Sequence, residues 1–169
     1  CYFEPYHKKE GRDLPPKAKF EELESMLEPL FIFSLIWSIG ATTDDAGRNR
    51  FDQNLRGEML ANSSAWQLPK EHDVYGYIFD QDKKAWDPWM NTIEAYKVDR
   101  NLSFSELIVP TADSVRNTYL LWLLLDQKNH ILMVGETGTG KTINIQQFLS
   151  GSSSVNGNKV SSDVIPLAV

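Results

Sequence analysis

Cysteine is almost missing from this sequence: Cys1 is the single one in 169 residues. One thiol can build neither an internal disulfide nor a thiolate metal site, which fits a reducing compartment. Positive charge is also in deficit, with 17 Lys and Arg against 23 Asp and Glu and a formal net charge of −6. The basic stripe that a nucleic-acid partner requires is therefore missing. Long hydrophobic runs are missing too. The longest, "LFIFSLIWSIG" at 30–40, is about half the length that spans a bilayer. It follows Glu21, Glu22, Glu24 and Glu28 and lies too far into the chain for a signal peptide. It reads as a buried helix, and no membrane partner is expected. The three histidines, His7, His72 and His130, share no metal-ligand spacing. In a reducing compartment the sequons at Asn62 and Asn101 are chance matches. An initiator methionine is absent and the sequence stops at "SDVIPLAV", so both ends read as cuts.

What is present is enough for a core: 41% of residues are hydrophobic and 11% are aromatic. The opening 20 residues are charged and proline-rich and read as a connector. From Lys17, a helical face of Phe20, Leu23 and Leu27 runs up to Pro29, where an end or kink is predicted. A second helix, apolar nearly all round, is predicted over Leu30 to Ile39 with Gly40 as its cap. Thr43 and Asp44 are cap candidates for a polar helix anchored by Phe51, Leu55 and Leu60. "VYGYIFD" at 74–80, "QDKK" and "AWDPWM" predict a β hairpin. Trp66, Trp86 and Trp89 could line a pocket, but packing is the commoner use of tryptophan. After Pro110, Thr111 can cap a helix whose face carries Val115, Tyr119, Trp122 and Leu123, widened by Leu120 and Leu124. "HILMV" reads as a buried parallel strand, "INIQQFL" as a helix, and "VIPLAV" as the start of another strand.

Between that strand and that helix stands "GETGTGKT", residues 135–142. It matches the phosphate-binding P-loop position for position. A strand delivers a tight loop, the loop points backbone N–H groups at phosphates, and a helix starts with its positive dipole end facing the anion. Gly135, Gly138 and Gly140 permit the backbone angles and the close approach, with Glu136, Thr137 and Thr139 between them. Lys141 is placed to reach the β- and γ-phosphates, and the Thr142 hydroxyl to coordinate Mg²⁺. Glycine usage near 7% makes a chance match an event of roughly one in a few hundred chains of this size. Nucleotide binding is the expectation. Hydrolysis also needs an acidic residue on a second buried strand, expected beyond Val169, so no catalytic residue is assigned within the chain. Asp80, after "YGYIF", is better read as a hairpin-edge aspartate than as that carboxylate.

The motifs "LEPLFIFSLIWSIG", "RNRFDQNLR", "VYGYIFD", "ELIVPTADSVRNTYLLWLLL" and "HILMVGETGTGKT" follow one another in an order that resembles a dynein heavy chain, more the axonemal than the cytoplasmic kind. The resemblance covers nearly the whole chain and is weakest over the first 18 residues and over 151–163. It implies the passage from the closing helical lid of the second AAA+ module into the start of the third. Residues 1–18 would be a connector, 19–104 the lid of the second module with a linker hairpin, and 105–169 the beginning of the third module with its Walker A loop. Gly135 to Thr142 would be that loop, holding ATP or ADP with Mg²⁺. Ile108, Val109, Pro110 and Thr111 match the segment lying against the adenine. Glu136 departs from the proline common there, and a carboxylate turned inward would repel phosphate.

The fold expected is mixed α/β: a helical AAA+ small subdomain with a β hairpin, then the first strand, P-loop and helix of an incomplete AAA+ core. The resemblance implies a piece of an ATP-driven microtubule motor with a regulatory nucleotide site. Its partners would be the rest of the heavy-chain ring, microtubules, and dynein intermediate and light chains, in the cytoplasm and the axoneme of a cilium or flagellum. Two other classes remain open on the residues alone. A self-standing P-loop NTPase or small-molecule kinase would carry its P-loop near the N-terminus. A structural module would hold nucleotide only as a brace.

Overall fold

The computed structural model of the protein describes residues 17–96, 103 and 107–149, with side chains from Glu21 onward except at Gln147. Most of the connector at 1–18, His7, Asn101, the loop at 151–163 and the run at 164–169 lie outside the described residues. The chain divides between Pro88 and Trp89 into two compact units.

The first unit begins with α1 (Lys17–Ser38), which runs unbroken through Pro29. The expected division at Pro29 is therefore corrected to one helix. A helix-interior proline removes one hydrogen bond and costs about 3 kcal/mol. Burial outweighs it here, because Met26, Pro29, Leu30, Phe33 and Ile36 are all buried at helical spacing, and each large apolar side chain contributes about 1.5–3 kcal/mol. Continuity through Pro29 also makes Glu21–Thr42 long and apolar enough to cross a membrane by length and composition. The buried positions, however, belong to the unit's own core, where α1 packs on the hairpin and on the turn at Gly40–Thr42.

Gly40 is not a left-handed cap; among the described glycines only Gly138 and Gly140 have positive φ. It starts a short 3₁₀ turn, Gly40–Thr42, and is needed for close approach. A Cβ there would lie 2.7 Å from the Phe51 ring and 2.9 Å from the Tyr75 hydroxyl. That hydroxyl donates to the Gly40 carbonyl at 2.9 Å. Tyr75 is the hub of the unit. Trp37 meets its ring edge-on at 5.9 Å, Phe51 packs at 6.3 Å, and the Arg48 guanidinium lies 5.5 Å from its centroid.

α2 (Asp45–Ala61) starts at Asp44, whose Oδ1 accepts from the Gly47 N–H at 2.7 Å. Of the expected anchors, Phe51 and Leu55 are half-buried, but Leu60 is 70% exposed and Met59 takes the buried position. Arg56, one turn after Asp52, shapes the following loop. Its guanidinium donates to the carbonyls of Leu68, Pro69 and His72 and to Asp52, while Asp52 also accepts from the Val74 N–H.

That loop leads through a 3₁₀ turn at Val74–Gly76 into β1 (Tyr77–Asp80), which pairs antiparallel with β2 (Ala85–Pro88), Tyr77 opposite Pro88 and Asp80 opposite Ala85. Tyr77, Ile78 and Phe79 are all buried, so this short strand is covered on both faces. Asp80 is a turn residue: Oδ1 accepts from the N–H groups of Asp82 and Lys83, and the carboxylate pairs with Lys83. Trp66 and Trp86 stack edge-on against Phe79, and Trp86 Nε1 donates to the Trp66 carbonyl at 2.7 Å. These tryptophans pack.

In the second unit, Trp89 opens a 3₁₀ turn, Trp89–Thr92, and its buried ring lies 5.5 Å from that of Tyr119. Tyr119 belongs to α3 (Ala112–Asp126), whose buried residues are Val115, Thr118, Tyr119 and Leu121; Leu124 is exposed. α4 (Lys141–Leu149) packs on α3.

Both α2 and α3 end in the same way. Ser63 (φ 52°) donates to Leu60 O and Ser64 to Met59 O, while Lys128 (φ 58°) donates to Leu125 O and Asn129 to Leu124 O. This is the Schellman pattern, in which glycine normally takes the left-handed position. Ser63→Gly and Lys128→Gly should each stabilise their helix end by about 0.5–1 kcal/mol, relief of left-handed strain exceeding the added entropy of the unfolded chain. Amide hydrogen exchange of Ser64 and Asn129 should slow about two- to fivefold; unchanged or faster exchange would contradict this.

Burial pushes the Tyr75 phenol above its ordinary value. The neutral phenol is thus the form favoured by folding. Its contribution is complete below the unfolded value near 10 and is lost as pH rises through the higher folded value. Tyr75→Phe should destabilise the first unit by about 0.5–1.5 kcal/mol at neutral pH, because it removes one of the two hydrogen bonds to the Gly40 carbonyl and leaves the one from the Thr43 hydroxyl at 2.9 Å. The difference from the natural protein should shrink above about pH 10, read by proteolysis with an alkaline-active protease.

Candidate functional site

No strand is assigned at Ile131–Val134, and the only sheet among the described residues is the β1–β2 hairpin. Leu132 is 86% exposed and Val134 83%, while Ile131 and Met133 are half-buried. The buried parallel strand expected there is corrected to an apolar segment whose side chains alternate between half-buried and exposed. A strand exists by hydrogen-bonding to a neighbour, and none of the described residues supplies one. For the same reason Ile143 and Ile145 of α4 are exposed, and only Phe148 of the expected packing face is buried.

The loop itself is well defined. Gly138 (φ 85°) and Gly140 (φ 76°) both sit in the left-handed region, and a Cβ on either would meet only open space. Backbone conformation, not crowding, is what demands glycine there. α4 begins at Lys141, and its first helical bond beyond the loop runs from Asn144 N to Gly140 O at 2.9 Å. The amides of Lys141, Thr142 and Ile143 therefore precede the helical ladder, where an anion finds both free donors and the dipole's positive end.

Lys141 does not extend into solvent. Its Nζ donates to Gly135 O at 2.9 Å, to Glu136 O at 2.6 Å and to Thr139 Oγ1 at 3.2 Å. The cation is thus held at the base of the loop beside the helix N-terminus. Glu136 contributes its backbone carbonyl only. Its side chain is exposed, and its carboxylate makes no hydrogen bond or ion pair with the described residues. The Thr142 hydroxyl is likewise exposed and uncommitted among the described residues. This arrangement fits a polyphosphate: amide donors, a tethered cation and an open glycine cradle lie within eight consecutive residues.

The comparisons agree with that chemistry. A family model described as "Dynein heavy chain AAA lid domain" matches residues 1–91, and one described as "P-loop containing dynein motor region" matches 96–165. The chain belongs to the dynein heavy chain family. It is 34% identical over 165 residues to human "Dynein axonemal heavy chain 1", covering 88% of this chain and 4% of that protein. It is 35% identical over 133 residues to human "Dynein axonemal heavy chain 2", covering 78% and 3%. It is 34% identical over 138 residues to "Dynein-1-alpha heavy chain, flagellar inner arm I1 complex" of Chlamydomonas reinhardtii, covering 74% and 3%. The chain therefore spans about one twenty-fifth of human "Dynein axonemal heavy chain 1". As a P-loop region of a dynein it is a nucleotide-binding sequence.

The segment expected against adenine lies at the start of α3. Ile108 and Val109 are exposed and Pro110 is half-buried. Thr111 caps α3: its hydroxyl accepts from Ser114 N at 3.2 Å, and its own N–H donates to Ser114 Oγ at 2.8 Å. The Thr111 side chain is therefore committed to the helix. Among the described residues, no hydrogen bond or ion pair joins 108–111 to 135–142. A second, open groove of about 440 Å³ in the first unit is lined by Asp52, Arg56, Lys70, Glu71, His72 and Asp73. The Arg56 donors there are already directed at loop carbonyls.

Sequence reading missed the bond from Thr139 Oγ1 to Glu136 O at 2.9 Å. No motif signals it, because it depends on the two glycine conformations around Thr139. Removing the exposed negative charge near the phosphate position should tighten nucleotide binding modestly. Glu136→Gln should lower the dissociation constant by up to about fivefold at low salt, and less at 0.15 M salt. Titration with a fluorescent nucleotide at two ionic strengths checks this. Weaker binding of the variant would contradict it.

Proposed function

We propose that residues 135–142 form a regulatory nucleotide site in the ring of a dynein motor, holding ATP or ADP with Mg²⁺. The observation that carries this reading is the Lys141 ammonium tethered beside the N-terminus of α4, in a loop held open by Gly138 and Gly140. Lys141 would pair with the β- and γ-phosphates, the amides of the loop and first helical turn would take the remaining phosphate oxygens, and the exposed Thr142 hydroxyl would be a ligand of Mg²⁺. Bound metal would neutralise charge on the phosphates. Ile108 to Thr111 would border the base, through backbone and apolar contact, since the Thr111 hydroxyl caps α3.

On this reading residues 19–104 are the lid of one AAA+ module, the second of the ring, and 105–169 begin the next. The family-model boundaries, 1–91 and 96–165, support a change of module in that region. The names of the relatives support an axonemal setting. The rest of the heavy-chain ring, microtubules, and intermediate and light chains would be the partners of the whole motor. A small-molecule kinase is not favoured, because the residues before the P-loop match a dynein lid.

Lys141→Ala in the full heavy chain tests the reading. Loss of charge-assisted bonds to phosphate should weaken nucleotide binding at this loop about 10- to 150-fold, corresponding to about 1.5–3 kcal/mol. Microtubule gliding velocity or motor ATPase should change with it. Lost occupancy with unchanged velocity and ATPase would mean that the nucleotide is only a brace; unchanged occupancy would remove the site.

A further inference from the structure

Thr139 stands between the two left-handed glycines, Gly138 and Gly140. With the chain bent on both sides of it, the Thr139 hydroxyl reaches back to the beginning of the loop. Oγ1 donates to Glu136 O at 2.9 Å, and a Cβ built on Gly135 would lie 3.4 Å from it. Lys141 Nζ arrives at the same point, against Glu136 O, Gly135 O and Thr139 Oγ1. An ammonium carries three N–H bonds, so these three oxygens account for all of them. They are not equal partners. The two carbonyls lie at 2.6 and 2.9 Å, whereas the hydroxyl lies at 3.2 Å, the long end of the hydrogen-bonding range.

We infer that the Thr139 hydroxyl is a positioning group for the phosphates of a nucleoside di- or triphosphate. It holds the Glu136 carbonyl turned toward the lysine, and it is the partner that the ammonium exchanges for a phosphate oxygen. This rests on the nucleotide-site reading above. The two carbonyls keep Nζ at the base of the loop while its third N–H passes from hydroxyl to phosphate, so the lysine need not be re-ordered when ligand arrives. Removing the hydroxyl has two opposed effects. A freed N–H turns to water and gains little. A Glu136 carbonyl held by the ammonium alone, and no longer by the loop itself, lets both the ammonium and the start of the loop sample other positions, and binding must then restore their order. The second effect dominates.

A pair of substitutions separates this role from simple space-filling. Valine reproduces the shape of threonine without the hydroxyl, and serine keeps the hydroxyl without the methyl. The experiment labels the full heavy chain with an amine-acylating reagent and reads modification of Lys141 by mass spectrometry as Mg-ATP is titrated. Because the readout is this one lysine, other nucleotide sites on the protein do not obscure it. The natural protein and Thr139→Ser should be protected over the same ATP range. Thr139→Val should need about tenfold more ATP, on the order of 1.4 kcal/mol, and Lys141 should acylate faster without ATP. Protection of Thr139→Val at the natural ATP concentration, or a shift in Thr139→Ser as large as in Thr139→Val, would overturn the inference while leaving the nucleotide site standing. Absence of any ATP protection of Lys141 in the natural protein would overturn the site itself and this inference with it.

Discussion

Two backbone reversals, at Gly138 and Gly140, make the P-loop possible. At φ 85° and 76° these residues occupy a region that costs an ordinary side chain about 1–2 kcal/mol each. Glycine avoids that strain, and the chain can enter α4 at Lys141 with its first amides ahead of the helical ladder. The same reversals let the Lys141 side chain reach the carbonyls that precede them. A positive charge and a set of amide donors are thereby concentrated at one place without any contribution from distant residues. This locality is why an eight-residue pattern can carry so much of the functional reading.

The first unit obeys a different constraint. Its chemistry is packing, and its tightest point is the approach of Phe51 and Tyr75 to Gly40, closer than any Cβ would allow. Around Tyr75 gather the end of α1, the Gly40 turn and the first turns of α2. The Asp52–Arg56 pair then fixes the path of the loop into the hairpin by ligating backbone groups. Asp52 and Arg56 thus hold backbone in place.

Legibility in the sequence followed the range of the interactions. The P-loop glycines, the Thr111 cap, the Asp44 cap and the hairpin could all be read, because each depends on residues within a few positions. Pro29 was misread as a break because the local rule omits burial. Part of what α1 packs on, the strand β1, is distant in sequence. Gly40 was misread as a cap because its partners, Phe51 and Tyr75, lie 11 and 35 positions on. Placing Leu60 inside instead of Met59 was a one-residue phase error on a helix of weak amphipathicity. A strand at 131–134 would depend entirely on partners, which none of the described residues supplies, and pattern alone could show only that the segment is apolar.

The central claim is that the Lys141 loop receives phosphate. A structure of the intact heavy chain at saturating Mg-ATP tests it most directly. The account predicts phosphate oxygens within hydrogen-bonding distance of Lys141 Nζ and of the first amides of α4, with Thr139 Oγ1 released from the lysine. A loop without phosphate under those conditions, with Nζ still on Gly135 O, Glu136 O and Thr139 Oγ1, would contradict it.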